Sequence, residues 1–345
     1  MRRLDIASVR DVAQEYGKYV FKGCSKVPKK VNAQTDELRN LIKSIPQTAQ
    51  YQAFRDYIQF VWDNYEKILI LEPDKFQTFA DSFVDTNGNK INVNVNDVNW
   101  KKWQVGETKR EFYKAIVEAM NYEHVRESKN GYLKYFEMLN IKTCAYCNAS
   151  YIMNVRTKKR DKKGFQIGEE LKGRFELDHF FPKSKYPFLC ISFFNLIPCC
   201  PCCNRWKSDD ESTFSLYTSQ KQDLDVFTFY LTNFSIIEYV LKHDVNKLNI
   251  KLKAKDINLK YNHEARFHIE ELYEHFKDEA EEILWIFLSQ NNAYFKQAME
   301  SFNKVFDSKA LLRIMYGVYE GDENIHKRPL SKMKMDILHQ LKLIK

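Results

Sequence analysis

The sequence of 345 residues lacks several features that would place it in other classes of protein. No apolar run approaches the roughly 18 residues of a membrane-spanning helix. The N-terminal stretch MRRLDIASVRDVAQEYGKYV contains no apolar signal-peptide core, and neither an internal repeat nor a low-complexity tract occurs. We therefore expect a soluble cytoplasmic protein that is not associated with a membrane.

A large charge excess of one sign is also absent. The chain contains 54 Lys and Arg against 46 Asp and Glu residues, which gives a net charge of +8. This excess is compatible with a polyanionic partner but does not by itself argue for one. Hydrophobic residues make up 44% and aromatic residues 14% of the chain, so it can bury a sizeable core and is not a disordered protein.

Hydrophobic periodicity divides the chain into three parts. Residues 1–140 and 216–345 have apolar residues three or four apart, as in YQAFRDYIQFVWDNYEKILIL and in the stripes Ile269–Phe287 and Leu330–Ile344. Residues 141–215 contain seven of the eight cysteines. We predict a mostly α-helical α+β fold. A small zinc-stapled module at 141–215 would lie between a helical N-terminal region and a helical C-terminal region that docks a partner.

The cysteines occur in two C-x-x-C motifs. KTCAYCNASY supplies Cys144 and Cys147, and LIPCCPCCNRWK contains the second motif. Two such motifs in one short segment match a four-thiolate structural zinc site. A redox C-x-x-C normally occurs singly in a thioredoxin-like βαβ pattern, which is absent here, and buried free cysteine is the other alternative. The spacing allows two registers for the second pair, Cys199 with Cys202 or the pair one residue later.

The segment between the two motifs reads as two short strands and a helix. RFELDH alternates in polarity up to Asp178 and His179, which predicts a strand with these two side chains on opposite faces. Asn195 precedes a second short apolar stretch, LIP, and the cysteine turn then leads into Asn204 and Lys207 at the start of a predicted helix.

This order of residues resembles the HNH, or ββα-metal, endonucleases. The family has an Asp-His pair on its first strand, an Asn before L-x-P-x-C-x-x-C, and an Asn or His on its helix. Here they are matched by Asp178-His179, Asn195 and NLIPCCPCCN ending at Asn204. In the family the second cysteine directly precedes the helix residue, so the resemblance selects as zinc ligands Cys144, Cys147, Cys200 and Cys203. It covers about a fifth of the chain, residues 141–215, and implies a ββα module there.

The resemblance implies a role for each matched residue. His179 would be the general base, since imidazole titrates near neutral pH. Asp178 and Asn204 would hold a catalytic Mg²⁺ or Mn²⁺ through hard oxygen ligands. Asn195 would brace the loop that orients the histidine, and Lys207 would add positive charge near the scissile phosphate. The zinc would tie the strands to the helix and so stabilise a unit with little core of its own.

The basic run RTKKRDKK is a further candidate for nucleic-acid binding. We expect an exposed loop that is either solvated or follows the phosphate backbone. The candidate side chains are Arg156, Lys158, Lys159, Arg160, Lys162 and Lys163.

A wider resemblance concerns partner and substrate. FELDHFFPKSKYP and KRPLSKMKMDIL are similar to the HNH subunits of Septu-type and retron-associated antiphage defence systems, which work with an ABC-type ATPase. The helical flanks contain no Gly-rich phosphate-binding loop, so the ATPase would be a separate chain. We therefore expect an endonuclease that cuts nucleic acid, with DNA favoured over RNA such as tRNA; a homo-oligomer is compatible with this expectation.

Two alternatives remain at this point. A stand-alone restriction-type nuclease would carry a DNA-reading element, and none is recognisable. A zinc-stapled binding module without activity would not need Asp178, His179 and Asn204 together.

Overall fold

The computed structural model describes residues 1–22, 33–85, 87–95, 97, 100, 103, 111–128, 131–290 and 293–344. The fold is α+β and mostly helical, as predicted. The chain forms two compact units. The site unit comprises Leu4–Leu139 and Met153–Lys221, and the C-terminal unit comprises Met1–Arg3, Asn140–Ile152 and Gln222–Lys345. These limits differ from the predicted boundaries because residues 140–152 cluster with the C-terminal region.

The first part of the site unit is helical. The stretch YQAFRDYIQFVWDNYEKILIL, whose apolar spacing predicted helical structure, is divided into two helices at Asn64. The side-chain amide of Asn64 donates to the carbonyl of Phe60 at 3.0 Å. Its apolar face is buried, including Tyr57, Ile58 and Val61. The helices are α1 (Ile6–Phe21), α2 (Ala33–Ser44), α3 (Gln52–Asp63), α4 (Tyr65–Leu69), α5 (Phe76–Ala80), α6 (Phe112–Ala119), α7 (Tyr122–Glu127) and α8 (Tyr132–Leu139).

The second part of the site unit contains paired strands. They are β1 (Leu4–Asp5), β2 (Asn154–Arg160), β3 (Gln166–Gly173), β4 (Glu176–His179), β5 (Leu196–Cys199) and β6 (Tyr217–Thr218). β1 pairs with β6 in parallel, whereas β2 with β3 and β4 with β5 are antiparallel pairs. Helix α9 (Pro201–Lys207) follows β5 directly. The strand expected at the Asp-His pair is therefore present. The expected helix is also present, but it begins at Pro201, within the cysteine turn, and not at Asn204.

The basic run forms a hairpin rather than the loop that we expected. Residues 156–160 belong to β2, and the next residues make the turn into β3. Asp161 Oδ1 accepts the N–H groups of Lys163 and Phe165, and Gly164 has a φ of +86°. This turn chemistry lets an exposed, highly charged segment pair as a strand although it lacks an apolar face.

The C-terminal unit combines a hairpin with helices. Strands β7 (Phe227–Leu231) and β8 (Ile250–Ala254) are antiparallel. The helices are α10 (Asn233–Lys242), α11 (Ile257–Phe267), α12 (Ile269–Tyr273), α13 (Lys277–Ser289), α14 (Ala293–Asn303), α15 (Ser308–Met315) and α16 (Ser331–Gln340). None of the helices in the described part of the chain is long and apolar enough to cross a membrane.

The two apolar stripes of the C-terminal region contribute mainly to the core of their own unit. Side chains buried from these stripes are Ile269, Ala280, Ile283, Leu284, Leu330, Met333 and Ile337. A buried side chain cannot contact another protein, so these members of the stripes are not available to dock a partner. The exposed apolar side chains of α10, Phe234, Ile237 and Leu241, are available instead.

Candidate functional site

The predicted catalytic residues lie on β4 and α9, except Asn195, which ends a 3₁₀ turn directly before β5. In the β4–β5 ladder His179 is paired with Leu196, and Asp178 with Ile197. Cys200 is the N-cap of α9, and Pro201 occupies the first turn of this helix. Proline lacks an N–H, but a backbone N–H at this position would have no acceptor within the helix. Two antiparallel strands are thus followed at once by a helix. This layout keeps residues from three short segments close together.

Asn195 fixes the loop that follows His179. Its side-chain oxygen accepts the N–H of Phe181 at 2.7 Å, and its Nδ2 donates to the carbonyls of Phe181 and Leu189 at 3.1 and 3.0 Å. The amide is fully buried, so each of these hydrogen bonds forms in a poorly solvated environment. The side chain therefore holds together the loop between β4 and β5.

His179 is a buried imidazole with a fixed orientation. Its Nε2 lies 3.0 Å from the carbonyl oxygen of Cys190. A carbonyl only accepts, so the neutral ring carries its proton on Nε2 and its lone pair on Nδ1. Burial, together with the charge of Lys183, lowers the pKa of His179 to about 3. The ring is therefore neutral at physiological pH, as a general base must be before it accepts a proton.

Asp178 and Lys207 form a buried pair, which we call the inner pair. Lys207 Nζ lies 3.2 Å from Asp178 Oδ1 and donates to the carbonyl of His179 at 2.9 Å. The Lys207 side chain is 0% exposed. Its ammonium group therefore stabilises β4 through contacts from α9, and it does not face solvent. This position differs from the one that the resemblance implied, beside a scissile phosphate.

Replacing Lys207 should destabilise the protein. Lys207→Met should lower the free energy of unfolding by about 3–5 kcal/mol, because it leaves the buried Asp178 carboxylate without its cation. Urea unfolding would measure the loss. The double variant Lys207→Met/Asp178→Asn removes the uncompensated charge and should recover part of it. An unchanged unfolding midpoint for the single variant would contradict the importance of the inner pair.

Glu176 and Asn204 form a second pair, the outer pair, which sequence reasoning missed. Asn204 Nδ2 donates to the carboxylate of Glu176. Residues 176 and 178 share one face of a strand, and residues 204 and 207 share one face of a helix, so the outer pair lies beside the inner pair. Glu176 is exposed and Asn204 half-buried, so solvent reaches the outer pair. Glu176 could have been found from the sequence, because it lies two residues before Asp178 on the predicted strand and therefore on the same face.

A polar cavity of about 570 Å³ adjoins the outer pair. Glu176 and Asn204 line it together with Tyr122, Arg126 and Lys183. The ring of Tyr122 also packs against the ring of His179, with a centroid separation of 5.1 Å. Tyr122 and Arg126 belong to α7, far from the HNH-like motif in the sequence. Only the fold brings them to the cavity, and no sequence pattern marked them as candidates.

The predicted basic run does not line this cavity. Strand β3 lines the cavity through residues 170–173, whereas the basic side chains are on β2 and the turn. Arg156 forms an exposed ion pair with Glu137 at 2.7 Å. The hairpin therefore presents its positive charge on a surface that is separate from the cavity lining.

Four cysteines form a cluster that could hold a metal ion. The sulfur atoms of Cys144, Cys147, Cys200 and Cys203 all lie within 4.8 Å of one another, and all four residues are buried. In a tetrahedral site with Zn–S bonds of about 2.3 Å, neighbouring sulfurs are about 3.8 Å apart, so this set of thiols fits zinc. The second C-x-x-C contributes the register that the resemblance selected.

Local backbone geometry supports a metal-binding turn. The N–H of Ala149 donates to Cys147 Sγ at 3.4 Å, a contact that favours a thiolate. Asn148 takes the left-handed conformation with a φ of 54°, and its amide donates to Thr143 Oγ1 at 2.8 Å. These contacts fix the first C-x-x-C turn independently of any ion.

The remaining described cysteines have other environments. Cys190 and Cys199 are fully buried, and Cys202 is exposed. Burial raises the pKa of Cys190 to about 12 and that of Cys199 well above its usual value. Both therefore remain thiols and act as small core residues. The four cysteines of this one turn thus have three environments. Cys200 and Cys203 belong to the cluster, Cys199 packs in the core and Cys202 faces solvent.

Comparison with known proteins identifies no relative: no family model matches the sequence, and no curated protein and no solved structure is significantly similar to it. The chemistry of the site must therefore be argued from its own residues.

Proposed function

We propose that this protein is a metal-dependent endonuclease of the HNH type that hydrolyses phosphodiester bonds in nucleic acid, with DNA as the favoured substrate. The observation that supports this proposal most directly is the state of His179. Its Nε2 is held by a backbone carbonyl and its Nδ1 is the basic nitrogen, on a strand that also carries Asp178 and faces Asn204. A zinc-stapled binding module would not need a neutral, oriented imidazole beside these oxygen ligands.

The chemistry assigns a task to each part of the site. His179 Nδ1 takes a proton from the attacking water, whose oxygen bonds to phosphorus while the bond to the leaving oxygen breaks. The leaving oxygen gains a proton from solvent. Burial makes His179 a weak base in the free protein. A bound phosphate would strengthen it, because negative charge nearby favours the protonated imidazole.

The oxygen ligands of the two pairs fit a hard divalent cation. Carboxylate and amide oxygens suit Mg²⁺ or Mn²⁺, and Asp178, Asn204 and Glu176 are the residues that would hold it. When bound, such an ion polarises the phosphate and stabilises the leaving oxygen. Because the outer pair is exposed to solvent, substrate and ion can reach it. The inner pair is buried and stabilises the base of the site.

We further propose that the nuclease acts in antiphage defence together with a separate ABC-type ATPase. The resemblance of FELDHFFPKSKYP and KRPLSKMKMDIL to Septu-type subunits motivates this partner. Exposed apolar side chains support a docking surface on α10, where Phe234, Ile237 and Leu241 are 70, 57 and 75% exposed. Three such residues on one helix form a patch that a partner protein would cover.

The activity is tested with the purified full-length chain. Plasmid DNA and total tRNA are incubated side by side with Mg²⁺ or Mn²⁺, in the presence and absence of an ABC-type ATPase tested as the proposed partner. We expect nicked and linear plasmid only when a divalent cation is present, and no product with EDTA. Exclusive cleavage of tRNA would reassign the substrate, and no cleavage in any combination would refute the nuclease.

A further inference from the structure

Lys183 occupies a position in the cavity that no motif indicated. It lies in the loop after β4 and is half-buried. Its Nζ is 4.5 Å from the centre of the Tyr122 ring, within the range of a cation–π contact. The same ring packs against His179, and Lys183 lines the cavity together with Glu176 and Asn204. Tyr122 therefore holds the ammonium group on the side of the site where solvent enters.

The other cations near the site already have carboxylate partners. Lys207 is paired with Asp178 in the inner pair. Arg126 Nη2 lies 2.7 Å from Glu127 Oε1 and 3.3 Å from Glu123 Oε2.

Lys183, in contrast, takes part in no ion pair among the described residues. A half-buried ammonium on an aromatic ring, without a counter-ion, is suited to bind an anion that enters the cavity.

We propose that Lys183 is a catalytic residue that binds the scissile phosphate of the nucleic acid in this cavity. The proposal rests on the nuclease function proposed above. Lys183 takes the role that the resemblance implied for Lys207, which is buried and paired elsewhere. Its ammonium donates to a non-bridging phosphate oxygen and stabilises the negative charge that grows there as water attacks. Tyr122 is a positioning residue, since it touches both the ammonium and the imidazole.

The chain offers a matched control two residues away. Lys185 lies in the same loop, but its Nζ pairs with Glu211 at 3.4 Å and it does not line the cavity. Lys183→Gln and Lys185→Gln therefore remove one positive charge each from the same segment. Only the first removes a cation from the cavity.

The first experiment measures cleavage of plasmid DNA with Mn²⁺ by the full-length variants. Lys183→Gln should lower kcat by about 10²-fold, the usual effect of removing one group that stabilises transition-state charge. Lys183→Arg should recover part of the rate, and Lys185→Gln should match the wild type. Tyr122→Leu should lower the rate, and Tyr122→Phe, which keeps the ring, should recover most of that loss. A Lys183→Gln variant as active as the wild type would overturn the proposal.

The second experiment needs no catalysis. Binding of a fluorescein-labelled 20-mer duplex is measured in EDTA over a salt series. Each phosphate contact contributes a slope of about −0.9 in log K against log salt, so Lys183→Gln should have a slope shallower than that of the wild type by roughly this amount. Lys185→Gln should keep the wild-type slope.

The outcomes separate the two proposals. An active wild type with an equally active Lys183→Gln variant and equal salt slopes refutes the role of Lys183 and leaves the nuclease intact. A wild type that neither cuts nor binds refutes both. A wild type that binds without cutting refutes the nuclease, and the difference in slope then decides whether Lys183 contacts phosphate.

Discussion

His179→Ala is expected to reduce phosphodiester cleavage by about 10²–10⁴-fold while the protein stays folded, because loss of a general base commonly has an effect of this size. In the proposed mechanism, the substitution removes the nitrogen that accepts the proton of the attacking water. It also removes the hydrogen bond to the Cys190 carbonyl, so a modest loss of stability accompanies it. Plasmid cleavage at saturating Mn²⁺, with circular dichroism and zinc content as tests of folding, measures the effect.

Two further variants sharpen this test. His179→Gln places an amide N–H near the position of the imidazole Nε2, where it can still donate to the Cys190 carbonyl. It has no basic nitrogen, so it should be as inactive as His179→Ala. His339 is exposed on α16 in the C-terminal unit, so His339→Ala should cut normally. Full activity of the His179 variants across a Mn²⁺ titration would show that another group is the base.

The second large effect concerns the four-cysteine cluster. The purified protein should contain one zinc ion per chain, and Ser substitutions at Cys144, Cys147, Cys200 and Cys203 should each abolish its retention. Structural zinc in small peptides binds with about 10–16 kcal/mol, and this binding energy is also folding energy. Each variant should therefore lose its local structure near β4, β5 and α9 and with it the geometry of the site. Mass spectrometry of metal content and hydrogen exchange of these segments measure both changes.

The neighbouring cysteines supply the control. Cys199→Ser and Cys202→Ser alter the same turn without touching the cluster, so both should keep zinc at the wild-type stoichiometry. Loss of zinc from these two variants, with retention in Cys200→Ser and Cys203→Ser, would show that the metal uses the other register of C-x-x-C.

The sequence predicted those parts of the site that depend on short-range order. The strand at the Asp-His pair follows from alternation. A helix was predicted near Asn204, but it begins three residues earlier because Pro201 is favoured in a first turn. The cysteine cluster was predictable because two C-x-x-C motifs have few other uses in one short segment, and the register came from a resemblance. The prediction of an exposed loop for the basic run was wrong, because the Asp161–Gly164 turn joins it to β3 as a hairpin.

The sequence by itself thus determined the α+β class, the two C-x-x-C motifs of the cysteine cluster and the order of Asp178, His179, Asn195 and Asn204 along the chain. Only the tertiary structure decided which charges meet. It buried Lys207 against Asp178, paired Asn204 with Glu176, and placed Lys183 on the ring of Tyr122 from a distant helix. Local patterns cannot predict such contacts, because burial and the distances between charges depend on how separate segments pack. Burial and these distances decide whether a cation forms a buried ion pair or stays accessible to a ligand.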